Sequence, residues 1–232
     1  MRFDLAFDDP KNSGSRRTEL GAYGSAGVEE PGAERWYGFS IYLPASWIVD
    51  PQAESVTQWH QTGGECSQFC SPPLSILTRN GQWVISQNWQ QTHTPGDWFF
   101  STTEIGPYET GRWTDWVVHV KWSTGDDGVL DIWKDGVPVS GFFHKVGRND
   151  DFGERDAGFG NYMKIGIYKW PWNPQIPSPP SPSRRVMYHD ALRIVDGAGS
   201  YADVAPGVTC PVATDPVNQL RPRLDSSVNG VK

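Results

Sequence analysis

Alternation of apolar and polar residues constrains this chain more than any other feature. In Tyr162-Met-Lys-Ile-Gly-Ile-Tyr168, Met163, Ile165 and Ile167 fall on one side of an extended backbone, and Tyr162, Lys164, Gly166 and Tyr168 on the other. The same period of two recurs in Thr18–Gly21, Arg35–Leu43, Ser55–Gln61, Leu74–Thr78, Gln82–Gln87, Trp113–Ser123, Val129–Lys134, Tyr162–Trp170 and Ala191–Val195. No stretch carries a convincing helical period. Gly, Pro, Asn and Asp cluster between these segments. Asp135-Gly136 marks a tight hairpin within Asp131–Val139, and Asp126-Asp127-Gly128 reads as another turn. Many short strands at such spacing predict an all-β sandwich or β-jelly roll. A chain of 232 residues fits one such domain. We expect the domain to span residues 1–210, followed by a polar tail over 211–232. Trp172–Arg185 is too rich in Pro for a strand or helix and reads as a surface loop.

Composition narrows the function classes. The net charge of −7 argues against nucleic acid as a partner. No apolar run is long enough to cross a membrane, and a monomer is the default state. The opening MRFDLAFDDP is polar and carries no leader pattern, so secretion needs an argument of its own. Twelve Trp are more than a core of this size needs. Aromatic rings stack on the flat faces of sugars, although packing between sheets accounts for most of them taken singly. Cys66 and Cys70 lie in a loop-like stretch and Cys210 stands alone, which does not match a zinc site. A Cys66–Cys70 disulfide and unpaired thiols both remain open.

Strand parity groups the polar residues. Gln58 and His60 share a face with Val56, while Trp59 and Gln61 point the other way. Arg17 and Glu19 share a face, with Leu20 turned into the core. Gly166 leaves a gap in the polar face of Tyr162–Tyr168, where a ligand can approach the backbone. Arg17, Gln58, His60, Lys164 and Tyr168 together form a set that neutralises a carboxylate and transfers a proton.

Three of these segments, in order, resemble the alginate lyases of the jelly-roll type: Arg17-Thr-Glu-Leu20, Gln58-Trp-His60 and Tyr162-Met-Lys-Ile-Gly-Ile-Tyr168. Their surroundings resemble the heparin-lyase-I-like group, which includes the glucuronan lyases of polysaccharide lyase family 20. These are Glu34–Pro44, Tyr168-Lys-Trp170 and Tyr188-His-Asp-Ala-Leu-Arg-Ile194. The resemblance runs from about Arg17 to Val195. It implies a concanavalin A-like sandwich with a concave cleft, a secreted protein and a β-elimination lyase acting on an acidic polysaccharide. Trp59 departs from the small aliphatic residue usual in the Q-x-H strand. The heparin-binding basic clusters are absent, which favours a polyuronate over a sulfated chain. The segment before Arg17 is short, so we expect a strand to be missing upstream.

β-Elimination of a 4-linked uronate needs a neutralised carboxylate, a base for the C5 proton and an acid for the leaving O4. The resemblance assigns these to Arg17, Gln58, His60 and Tyr168, with Glu19 orienting Arg17. Tyr168 serves as acid and base in a syn elimination. In an anti elimination His60 is the base and Tyr168 the acid. Tyr162, Lys164, Asn88, Trp170 and Trp172 are expected to bind substrate. The chemistry requires no cofactor. Enzymes of this architecture often hold a structural calcium, for which Asp190 is the candidate. The resemblance points to glucuronan as the substrate, with an alginate lyase acting on mannuronate or guluronate as the alternative within the same fold, and two other classes compete. A glycoside hydrolase needs paired carboxylates, whereas Glu104 and Glu109 lie in a loop-like region. A non-catalytic carbohydrate-binding module explains the Trp content but not the ordered motifs.

Overall fold

The computed structural model describes residues 1–12, 14–22, 28–62, 71–90, 98–147, 160–173 and 182–207. They form two antiparallel sheets packed face to face, the jelly roll that the strand pattern predicts. One sheet has six strands in the order β1 (Arg2–Ala6), β13 (Arg184–Asp196), β4 (Glu34–Leu43), β9 (Arg112–Lys121), β10 (Val129–Lys134) and β11 (Val137–Val139). The other has seven: β2 (Arg17–Gly21), β12 (Asn161–Tyr168), β5 (Glu54–Gln61), β6 (Leu74–Arg79), β7 (Gln82–Gln90) and β8 (Trp98–Pro107), with β3 (Val28–Glu29) added to β12 beyond the end of β2. The expected tail, Cys66, Cys70, Cys210 and residues 174–181 of the Pro-rich segment lie outside the described residues.

Turn chemistry sets two of the registers. Asp135-Gly136 joins β10 to β11 with φ of 51° and 78°, and Asn80-Gly81 joins β6 to β7 with 51° and 80°. Two successive positive φ values give the turn whose twist matches paired strands.

The structure adds strands that alternation does not reveal. In the opening segment, Phe3 and Leu5 are buried and β1 pairs with β13 along its whole length. Trp98–Pro107, read as loop-like, is an edge strand paired with β7, so Glu104 is a strand residue. No strand among the described residues pairs with its outer edge, which relaxes the demand for regular apolar positions. β13 runs well upstream of Ala191 and carries a bulge between Asp190 and Arg193.

Two parity assignments also change. A bulge in β5 between Ser55 and Thr57 turns Val56 into the core and brings Ser55 onto the face of Gln58. Leu20 is 53% exposed, because it lies on the edge strand β2 where the opposite sheet gives little cover.

The core explains most of the tryptophan. Trp47, Trp59, Trp83, Trp89, Trp116, Trp122 and Trp172 are all buried. Trp59 meets Tyr37 edge-on at 5.2 Å, filling space that a small aliphatic residue would leave empty.

A buried ion network anchors one end of the sandwich. Lys169 is fully buried; its Nζ donates to Gln52 O at 2.7 Å and lies 2.8 Å from Asp50 Oδ2 and 3.6 Å from Glu54 Oε2. Arg185 binds both oxygens of Glu54, donates to Ile48 O and lies over the Trp47 ring at 3.6 Å. Two cations thus balance two carboxylates. Removing one partner strands a charge in the interior. Lys169→Met should lower unfolding free energy by about 3–5 kcal/mol, measured by chemical denaturation.

His189 is a second buried polar group. Its Nε2 meets Val56 O at 2.9 Å, and desolvation pushes its pKa from 6.5 down to about 4. The unfolded chain therefore binds a proton between these values that the folded protein refuses. Stability from this group is complete above the unfolded value and is lost as pH falls toward the folded one. The unfolding free energy should drop by roughly 2 kcal/mol between about pH 7 and about pH 5 through this group alone. His189→Asn should flatten that part of the profile.

Candidate active site

The outer face of the seven-stranded sheet carries the polar residues that the sequence groups together. Two registers place them. Tyr168 pairs with Arg17, and Gly166 with Glu19, across β12 and β2. Lys164 pairs with Gln58, Tyr162 with His60, and Tyr168 with Ser55, across β12 and β5. Gln58 and Lys164 therefore sit between two flanks, with His60 and Tyr162 on one side and Tyr168 and Arg17 on the other.

Side chains close the cluster. The Arg17 guanidinium lies over the Tyr168 ring, 4.3 Å from its centroid. Arg17 Nη1 stands 3.5 Å from Glu19 Oε2, and Gln58 Nε2 donates to Glu19 Oε1. Glu19 thus orients the guanidinium and the amide together. Lys164 Nζ lies 5.2 Å from the Tyr162 ring centroid, and the His60 ring 5.9 Å from it. His60 Nδ1 meets the Gln61 carbonyl at 2.8 Å, so the neutral ring carries its proton on Nδ1 and its lone pair on Nε2.

The electrostatics mark this as a place for a polar ligand. Burial pushes the Lys164 ammonium below the ordinary lysine value, the Glu19 carboxylate opposes that shift, and the Arg17 charge adds to it. Arg17 Nε, Glu19 Oε2 and Gln58 Oε1 are buried without a hydrogen-bond partner. Beside them runs a groove of about 520 Å³ lined by Ser55, Gln58, Ser75, Arg79, Tyr168 and Trp170, among others.

Not every expected residue reaches this groove. Trp170 and Trp172 belong to one 3₁₀ turn, and only Trp170 faces the groove, 5.7 Å from the Tyr168 ring. Trp172 is 1% exposed and packs in the core against Phe7, so it has no face to offer a sugar. Asn88 spends its amide on Pro72 O at 2.7 Å, which ties down the segment entering β6. Lys169 points inward to the ion network. Asp190 lies at the β13 bulge, where its Oδ1 accepts from the Ala191 amide at 2.8 Å and supports Ala191 at φ 55°. Among the described residues no three His, Cys, Asp or Glu side chains are placed to share a metal.

Gly166 has a different reason from the one its gap suggests. It sits at φ 126° in a bulge of β12. A Cβ there would come within 2.3 Å of Thr18 O and 2.8 Å of Phe3 Cδ1. The missing side chain makes room for β2 and the core, not for a ligand.

With this geometry established, comparison with known proteins identifies the family. The family model described as polysaccharide lyase matches residues 1–193. The chain belongs to the polysaccharide lyase family. Among curated proteins no sequence matches it. The lyase fold is shared with solved structures of low sequence identity. Endo-β-1,4-glucuronan lyase from the fungus Trichoderma reesei is 20% identical with a TM-score of 0.71, covering 90% of this chain and 84% of that one. Alginate lyase PA1167 from Pseudomonas aeruginosa is 19% identical with a TM-score of 0.52, covering 84% and 82%. Alginate lyase A1-II′, of polysaccharide lyase family 7, is 16% identical with a TM-score of 0.54, covering 84% and 79%. The lyase has no helix among its described residues long and apolar enough to cross a membrane.

In this lyase the Gly166 bulge holds β2 against β12, and so holds Arg17 against Tyr168. Gly166→Ala should cost several kcal/mol and broaden the unfolding transition, because the clash is with backbone rather than a movable side chain. Thermal denaturation followed by near-ultraviolet circular dichroism checks this.

Proposed function

We propose that this lyase cleaves a 1,4-linked polyuronate, glucuronan, by β-elimination, leaving an unsaturated uronate at the new chain end. The observation that carries the reading is the Arg17–Tyr168 pair, with Gln58 and Lys164 beside it. The fold shared with a glucuronan lyase over 90% of the chain supports the same substrate.

Arg17 and Gln58, held by Glu19, neutralise the C6 carboxylate and stabilise the enolate as C5 loses its proton. Preorganised donors of this kind supply the largest share of such catalysis. In β-D-glucuronate the C5 proton and the C4 oxygen lie on the same face of the ring, so one group serves both. Tyr168 is that group. It removes the C5 proton and returns it to O4 as the bond breaks. The step starts from the phenolate, which becomes the phenol on taking the proton and is restored when O4 takes it; the Arg17 guanidinium lies against the ring throughout. Trp170 borders the groove and stacks on an adjoining sugar. The protein acts on an extracellular polysaccharide and is secreted.

A second reading, an alginate lyase acting on guluronate, rests on the position of His60 across Gln58 and Lys164 from Tyr168. In guluronate the C5 proton and O4 lie on opposite faces, so base and acid must flank the ring.

Ultraviolet absorbance of the conjugated C4–C5 product, followed with glucuronan, polymannuronate and polyguluronate in turn, tests both readings. Absorbance should rise with glucuronan. Tyr168→Phe should keep the fold and lower kcat by about 10²–10⁴-fold. If polyguluronate is the substrate instead, His60→Ala should be as damaging as Tyr168→Phe. No rise with any of the three refutes both readings.

A further inference from the structure

The groove does not end at the Tyr168 cluster. The strand registers place Lys164, Gln58, Ser75, Ser86 and Thr102 side by side across β12, β5, β6, β7 and β8. At about 4.8 Å per strand this row is about 19 Å long, room for several sugar rings. Its far half changes character. The floor narrows to the hydroxyls of Ser75, Ser86 and Thr102, which can bond sugar hydroxyls but cannot neutralise an acid.

One cation lines the groove there among the described residues. Arg79, at the end of β6, is bound by Glu104 of β8 through Nη2 alone, at 3.0 Å. Nε and Nη1 keep their donors for a second partner. On the other flank stands Phe100. It shares a face with Thr102, two residues on, and is 75% exposed, the most of any large apolar side chain described. Its neighbour Phe99 stacks on Trp89 at 5.6 Å, as an aromatic ring does when its role is packing.

We propose that Arg79 and Phe100 form a distal subsite that recognises uronate residues remote from the bond being cut. Arg79 binds a carboxylate, and Phe100 stacks on a sugar face. This deepens the polyuronate reading above and rests on it. The protein carries a net charge of −7, so a polyanion is held along the groove only where a cation lines it.

The test is binding without turnover, by calorimetry in the Tyr168→Phe background, with one short and one long oligoglucuronate. The short one occupies only the Tyr168 end, and the long one reaches β8. Arg79→Gln should weaken the long oligomer about tenfold and the short one less than twofold. Arg79→Lys should restore part of the loss, and Phe100→Ala should repeat the length-dependent pattern. Equal losses for both lengths, or no loss for either, overturn the subsite while leaving the polyuronate reading intact. No binding of either oligomer when Arg79 is present overturns the polyuronate reading itself.

Discussion

The position of β12 between β2 and β5 is the constraint on which this site depends. Main-chain hydrogen bonds on its two sides align Tyr168 with Arg17 and Lys164 with Gln58. A shift of one residue along either ladder would turn every one of these side chains to the other face. Burial opposes the shift, since Met163, Ile165 and Ile167 would have to leave the core. The bulge at Gly166 adds a steric lock, because only glycine tolerates the approach of Thr18 O and Phe3 there.

The ion network at the end of the same strand addresses a different problem. Tyr168, Lys169, Trp170 and Trp172 follow one another closely, yet they face the groove, the interior, the groove and the core. Such a sharp turn needs an anchor. Lys169 supplies it by reaching Asp50, Glu54 and Gln52 O beneath the groove. Desolvating four charges is expensive, so the network contributes position more than net stability. It fixes where the chain leaves β12, and with it where Trp170 stands.

The groove then reads as two halves joined by Gln58. On the β12 side, charge and an aromatic hydroxyl are concentrated. On the β8 side lie small hydroxyls, one guanidinium and one exposed ring. An acidic protein that holds a polyanion needs such a division, because its overall field repels the ligand and only local cations reverse it.

Much of this was legible in the sequence. Alternation revealed the central strands, because a half-buried strand must repeat every two residues. Parity within one strand grouped Gln58 with His60 and Lys164 with Tyr168, because that grouping is a property of extended backbone. Strands β1 and β8 were not legible. One is short and the other is an edge, so neither imposes a regular pattern. Val56 and Leu20 were misplaced because a bulge and an uncovered edge depend on neighbouring strands. Trp172 and Asn88 look in sequence like binding residues; packing places Trp172 in the core and ties the Asn88 amide to Pro72 O. Arg79 and Phe100 carry no local signal at all. The sequence determined which residues share a face of each strand. Tertiary structure decided which strands are neighbours, since pairing joins residues far apart in the chain through backbone groups that are alike at every position.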